Sequence, residues 1–334
     1  MTIITADLHL TDNPRDADRW NLFPWIESQL KATGSRQVVI LGDVTDAKDR
    51  HSASLVNKLV DAVMRLSINA EVLFLQGNHD FVNEGSPFFA FLRQMEKTVH
   101  FFTEPETWDV DGKTATFVPC TRDWEAAYGR VNWAGCGSKY IFCHQTFDGA
   151  IAENGTGLPG ISPTVFANYK GSIFSGDIHT PQKVGKINYI GAPYRIHFGD
   201  SFKPRVVLLK DGKTTDLHFP GRGRELIVGR NIRDLEKVDH DICTQTKIRI
   251  RLKRSEYPEW PAMRKAIKAL ADRRRWEICG LELASLKTKD KELPEEAQQE
   301  GQSPEDILGN YITSKKLGKA LAAVGRELLK GAVE

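Results

Sequence analysis

The chain has 334 residues, 40% of them apolar and 27% charged, with a formal net charge of only +2. No run approaches the roughly 20 apolar residues of a membrane-spanning helix, and Asp7 and His9 lie inside the stretch that removal of a secretory leader would discard. Five cysteines, at 120, 136, 143, 243 and 279, form no CxxC pair; they read as reduced thiols and place the chain in the cytoplasm, or in a host's cytoplasm if it is viral.

From the N-terminus the pattern alternates strand and helix, as parallel βαβ units do. Ile3–Thr5 reads as a strand, Trp20–Lys31 as a helix and Val38–Leu41 as a second strand. Leu55, Leu59, Val63 and Leu66 fall at helical spacing, and Val72–Leu75 is a third strand. After Phe101 the strands shorten: Thr114–Pro119, Tyr140–Cys143, Ser172–Ser175 and Lys186–Ile190. Val206–Lys210, the turn Asp211-Gly212 and Asp216–Phe219 read as a closing hairpin. Two sheets between outer helices accommodate this order, so residues 1–220 are expected to form one α/β domain.

Residues 221–291 carry 19 Lys/Arg against 11 Asp/Glu, so a basic module follows a mildly acidic one. Lys247, Arg249, Arg251 and Lys253 alternate with Ile248, Ile250 and Leu252, the signature of a half-buried strand with one cationic face. Pro261–Trp276 reads as a basic helix and Ile278–Leu286 as a strand. Residues 292–306 hold six acids, two prolines and a glycine, and read as a linker. In 307–334, Leu317, Leu321, Val324 and Leu328 form one helical stripe.

Five polar motifs end the apolar runs: Asp7-Leu8-His9, Gly42-Asp43-Val44-Thr45-Asp46, Gly77-Asn78-His79-Asp80, His144 and Gly176-Asp177-Ile178-His179. Taken alone, Asp-x-His is as well explained by a helix cap and a structural histidine. In this order, however, the motifs bring about seven oxygen and nitrogen ligands to one sheet edge, enough for two cations. The absence of thiolate among them favours Mn²⁺, with Fe²⁺, Zn²⁺ or Mg²⁺ possible. His51, His100, His197, His218 and His240 have no such company and read as structural or surface residues. Of these His197 is the one to watch, because it follows the segment Tyr189–Arg195. Cys143, inside an apolar strand, reads as a buried, inert thiol.

These blocks resemble those of the calcineurin-like metallophosphoesterases, whose fold is a four-layer α/β/β/α sandwich. Within that superfamily the order of domain, basic α/β capping domain, acidic linker and C-terminal helical tail is similar to the SbcD-type nuclease subunits of SMC-like DNA repair complexes. The resemblance implies that Asp7, His9, Asp43 and His179 hold one metal, and that Asp43, Asn78, His144 and Asp177 hold the other. His79 would be catalytic, steadied by Asp46 or Asp80. The family's last block carries a histidine where this chain has Asp177, an exchange expected to favour a harder ion.

The activity so implied is Mn-dependent DNA exonuclease, with endonuclease activity possible, in repair or recombination. A hydroxide activated by two metals would attack the phosphodiester. Lys247, Arg249, Arg251 and Lys253 would contact DNA. Ile307, Leu308, Tyr311, Ile312, Leu317 and Leu321 would anchor an SbcC-type coiled-coil ATPase, and the chain would form a homodimer. Two rivals stand beside this reading: a phosphatase or phosphodiesterase acting on a phosphoprotein or nucleotide, and a DNA-binding subunit whose metal site has decayed at Asp177.

Overall fold

A computed structural model describes residues 1–94, 98–238 and 244–286. The linker 292–306, the helix 307–334 with its anchors Ile307, Leu308, Tyr311, Ile312, Leu317 and Leu321, and the side chains His240 and Cys243 lie outside the described residues.

The apolar runs that precede the first three motifs become the parallel neighbours β1 (Thr2–Thr5), β2 (Gln37–Leu41) and β3 (Glu71–Leu75), with β4 (Val99–Phe102) beside them. Both faces of these strands are covered, which is why the runs are continuous rather than alternating. Between β1 and β2 comes α1 (Leu22–Thr33), closed by Gly34 in the left-handed region. It starts two residues later than its periodicity suggests, because Asn13 caps a 3-10 helix, Pro14–Asn21, that precedes it. The helix α2 (Ala53–Ser67) joins β2 to β3 and is capped by Ser52, whose hydroxyl accepts from the Leu55 amide at 3.0 Å.

The second sheet contains β5 (Glu106–Val110), β6 (Lys113–Val118) and β7 (Tyr140–His144), then, after a small hairpin of β8 (Ala150–Ile151) and β9 (Gly157–Leu158), the strands β10 (Ser172–Gly176), β11 (Gln182–Val184) and β12 (Ile187–Tyr189). Its order is β11-β12-β10-β7-β6-β5. The register pairs Gly176 with His144, so the fourth and fifth motifs leave the sheet side by side. A hairpin of β13 (Val206–Lys210) and β14 (Lys213–Leu217) then returns to the first sheet, whose order is β14-β13-β1-β2-β3-β4.

Alternate residues of one strand divide between two cores, as a two-residue period requires. Ile3, Val38, Ile40, Val72 and Phe74 pack under Phe23, Ile26, Leu59 and Val63 of the helices. Ile4, Val39, Leu41, Leu73 and Leu75 face the second sheet and meet Phe117, Tyr140, Phe142 and Phe174. On that sheet's far side, Ile141, Cys143 and Ile173 are covered by Tyr128, Trp133 and Phe166. This is the sandwich expected from the sequence. Its outermost layer is built from short turns, Glu125–Gly129, Trp133–Gly135 and Pro163–Phe166, rather than long helices.

The basic region forms β15 (Arg224–Gly229), α3 (Ile232–Glu236), β16 (Gln245–Leu252), α4 (Trp260–Arg274) and β17 (Glu277–Ser285), with sheet order β15-β16-β17. Ile248, Ile250 and Leu252 are buried, while Lys247 and Arg249 are half-buried and Arg251 is exposed. The chain parts into two compact units, Met1–Ile250 with Pro261–Glu282, and Arg251–Trp260 with Leu283–Glu334. No helix among the described residues is long and apolar enough to cross a membrane.

Candidate metal centre

The polar motifs lie at or just beyond the C-terminal ends of β1, β2, β3, β7 and β10, and backbone hydrogen bonds lash their loops together. The amides of Asp7 and His9 donate to the carbonyls of Gly42 and Asp43 at 3.2 and 2.9 Å. The loops touch so closely that a Cβ at Gly42 would collide with the His144 ring and the Gly77 backbone, and one at Gly77 would collide with Asp43. Both motif glycines are therefore steric requirements. Asp7, His9, Asp43 and Asp177 all adopt positive φ (54°, 39°, 53° and 81°), a conformation costly for residues with a Cβ. Such strain, gathered at one place and held by a rigid frame, is characteristic of functional sites.

The side chains converge accordingly. Three overlapping sets, Asp7–His9–His179, His9–Asp46–His79 and Asp7–Asp43–His144, each offer ligand atoms within 4.8 Å of one another. Nε2 of His9 lies 3.1 Å from Nε2 of His179 and 3.5 Å from an Asp43 oxygen. Nε2 of His144 lies 3.4 Å from the other Asp43 oxygen, 3.3 Å from the Asn78 side-chain oxygen and 3.8 Å from Asp177. Asp43 thus stands between two groups of ligands, with one oxygen toward each.

The opposite ring nitrogens are engaged elsewhere, which leaves the Nε2 atoms facing inward. Nδ1 of His144 donates to the Leu41 carbonyl at 2.6 Å. Nδ1 of His9 faces an Asp46 carboxylate oxygen at 3.3 Å, and Nδ1 of His179 faces Glu153 at 2.6 Å. Asp177 accepts from the Thr146 hydroxyl, and its amide donates to Asp7 at 2.9 Å.

Burial and crowding set the electrostatics. Asp7 is fully buried, and desolvation pushes its carboxyl up to about 7 despite His144 and His179 nearby. Burial would also raise Asp43, but His144, His9 and His79 outweigh it and hold that carboxyl below the usual range. Burial lowers His9, whereas His179 is lifted to about 9 because Glu153 and Asp7 outweigh its own burial. A cation between these groups would relieve the repulsion among the carboxylates and satisfy the inward-facing nitrogens. The Oδ2 atom of Asp7, buried and without a hydrogen-bond partner, points to the same need. The residues present fit divalent metal ions.

His79 and Asp80 have different surroundings. Nδ1 of His79 donates to the Asp46 main-chain carbonyl at 2.6 Å, and its ring lies edge-on to His9 at 4.8 Å. Asp80 is engaged by main-chain amides. Its carboxylate accepts from the amides of Gly77, Asp43 and Val44 at 2.7, 2.9 and 3.1 Å, clamping two loops together. Burial and the nearby Asp43 raise its carboxyl to about 7.

Two neighbours of the site carry no sequence motif. Glu153 comes from the β8–β9 hairpin, and Arg19 donates to the His9 and Ile196 carbonyls from the 3-10 helix. The segment Tyr189–Arg195 supports the site from behind, with the Tyr194 hydroxyl donating to the Leu8 carbonyl and the Ala192 amide to the His179 carbonyl. Cys143 is fully buried, and burial pushes its thiol up to about 12, so it is no nucleophile at neutral pH. Lys247 and Arg249 both pair with Glu282, at 2.5 and 3.0 Å. Arg251 and Lys253 are exposed, in the other compact unit.

Comparison with solved structures finds a protein of unknown function from Aquifex aeolicus, 15% identical, spanning 51% of this chain and 93% of that one at a TM-score of 0.26. Among curated proteins there is no match. The family model for calcineurin-like phosphoesterases matches residues 2–189, which hold all five motifs and every ligand described above. The chain belongs to the calcineurin-like phosphoesterase family.

Proposed function

We propose that this protein is a metal-dependent DNA phosphodiesterase, an exonuclease with possible endonuclease action, using two divalent ions with Mn²⁺ preferred. The observation that carries this reading is Asp43, whose two carboxylate oxygens face His9 and His144 at 3.5 and 3.4 Å and so divide one ligand cluster into two. Asp7, His9, Asp43 and His179 would hold one ion; Asp43, Asn78, His144 and Asp177 would hold the other. When bound, such ions supply Lewis acidity and bring the pKa of coordinated water toward neutrality.

The chain's own groups do the rest. Asp80 fixes the loops that carry Asp43 and Asn78, and the Leu41 carbonyl fixes the His144 ring. His79, held through Nδ1 by the Asp46 carbonyl, would pass a proton from Nε2 to the leaving oxygen. Lys247 and Arg249 support a nucleic acid as substrate, because they line the same cleft as Asp46, which faces His9. Work as the nuclease subunit of an SbcC-type ATPase complex, homodimerisation and a cytoplasmic location belong to the same reading.

The test is cleavage of end-labelled linear duplex DNA with Mn²⁺, beside a small phosphomonoester and a chelator control. Chelator-sensitive DNA cleavage with little monoesterase activity supports the reading. Monoesterase activity without DNA cleavage would replace it with a phosphatase.

A further inference from the structure

A cleft of about 310 Å³ opens beside the metal centre, apart from the ligand cluster and sharing Arg19 and Asp46 with its surroundings. Its lining combines the cations Arg15, Arg19, Arg224, Lys247 and Arg249 with the apolar side chains Ile196, Phe198 and Leu226. Asp16 is committed to Arg224 at 2.5 Å, Arg15 at 3.5 Å and Arg19 at 3.8 Å, and Glu282 pairs with Lys247 and Arg249 at 2.5 and 3.0 Å; counting Asp16, Asp46 and Glu282, the five cations still exceed the acids by two. The cleft therefore attracts an anion.

Its form is fixed from beneath. Arg224 is buried, held by Asp16 and by the Ile196 carbonyl at 2.8 Å, and its guanidinium lies 5.7 Å from the Phe198 ring. Arg15 approaches the same ring at 5.8 Å, and its carbonyl accepts from the Gln245 side chain. Phe198 is only half-buried, so part of the ring faces the cleft. His197, beside it, is exposed, with its ring 5.8 Å from His179.

We infer that this cleft holds one unpaired nucleotide of the substrate, adjoining the scissile phosphodiester. Its phosphate would lie against Arg15, Lys247 and Arg249, and its base against Phe198 and Leu226. This deepens the proposed function and rests on it for the position of the scissile bond. The volume is at the low end for small-molecule pockets, roughly 300–1,000 Å³, so it takes a single nucleotide and no duplex. Cations set beside an aromatic ring are how single-stranded nucleic acid is held without regard to sequence. Asp46, which lines the cleft and faces His9 at 3.3 Å, sets the occupant next to the ligand cluster. The protein should consequently favour frayed or single-stranded ends.

The experiment is binding of a fluorescent tetrathymidylate and of a blunt, covalently closed hairpin duplex to the full chain, with chelator present so that nothing is cleaved. Wild type should prefer the tetranucleotide. Phe198→Ala and Arg249→Ala should each weaken tetranucleotide binding about tenfold or more, the range of one stacked base or one lost phosphate contact, while unfolding midpoints show that both variants fold. Equal affinity of the variants and wild type, or stronger binding of the closed duplex or of an acidic phosphopeptide, would overturn the inference. If the cleft binds as stated but wild type with Mn²⁺ cleaves no DNA, the cleft stands and the nuclease reading fails.

Discussion

His9 and His179 face one another across the candidate metal centre with their Nε2 atoms 3.1 Å apart. Two imidazole nitrogens at that separation need a proton or a cation between them, and both opposite nitrogens are turned toward carboxylates, Asp46 and Glu153. The arrangement resembles carboxylate–histidine–metal chains, in which the outer acid fixes the ring and raises its basicity. Glu153 is therefore as much part of the site as the histidine it faces.

Removing the Glu153 charge should be felt as metal affinity. Glu153→Gln is expected to weaken Mn²⁺ binding about 10- to 100-fold, measured by calorimetric titration, with little change in the unfolding midpoint. Unaltered affinity would reduce Glu153 to a surface hairpin residue.

Under the proposed function, Asp177 would set the preference between metals. Its carboxylate is 3.8 Å from His144 Nε2 and accepts from the Thr146 hydroxyl. Asp177→His should shift preference from Mn²⁺ toward Zn²⁺, because imidazole is the softer ligand. Parallel titrations with the two metals decide; identical affinities and preference in both proteins would rule out a role for the carboxylate.

His79 is expected to act on the leaving group, not on metal. His79→Ala should retain both metal equivalents and lose turnover by about 10²–10⁴-fold, the usual contribution of a positioned acid. Near wild-type turnover would remove it from the mechanism.

Asp16 gives a pH-dependent prediction away from the chemistry. Burial alone would raise its carboxyl, but Arg19, the Thr11 hydroxyl and Arg224 overcome this and hold it below the usual range. A carboxyl lowered on folding stabilises the protein above its unfolded pKa, about 3.9, and that stability is lost as pH falls through the folded value. Asp16→Asn leaves Arg224 buried and unpaired, so it should cost about 3–5 kcal/mol at pH 7. Urea unfolding should show the gap between variant and wild type shrinking toward pH 3; a gap independent of pH would contradict the assignment.

The sequence made the strands that carry the motifs legible for a simple reason. Strands covered on both faces give unbroken apolar runs, and each of Ile3–Thr5, Val38–Leu41 and Val72–Leu75 stops at a polar motif. The basic strand was legible because Ile248, Ile250 and Leu252 alternate with Lys247, Arg249 and Arg251 across a half-buried sheet. Glu153 was not, since a lone glutamate in a hairpin looks like any solvated charge until the fold sets it 2.6 Å from His179. Nor was the pairing of Lys247 and Arg249 with Glu282, which depends on the register of β16 against β17. Asp46 was named beside His79, but its contact through the main-chain carbonyl was hidden, because a main-chain contact leaves no residue-type signal.

The most direct measurement is titration of Mn²⁺ into metal-stripped protein while cleavage of linear DNA is followed in the same samples. Two equivalents should bind, with cleavage appearing as the second site fills, and Asp43→Asn should abolish both. A single equivalent, or DNA cleavage that persists in chelator, would contradict a two-metal centre bridged by Asp43.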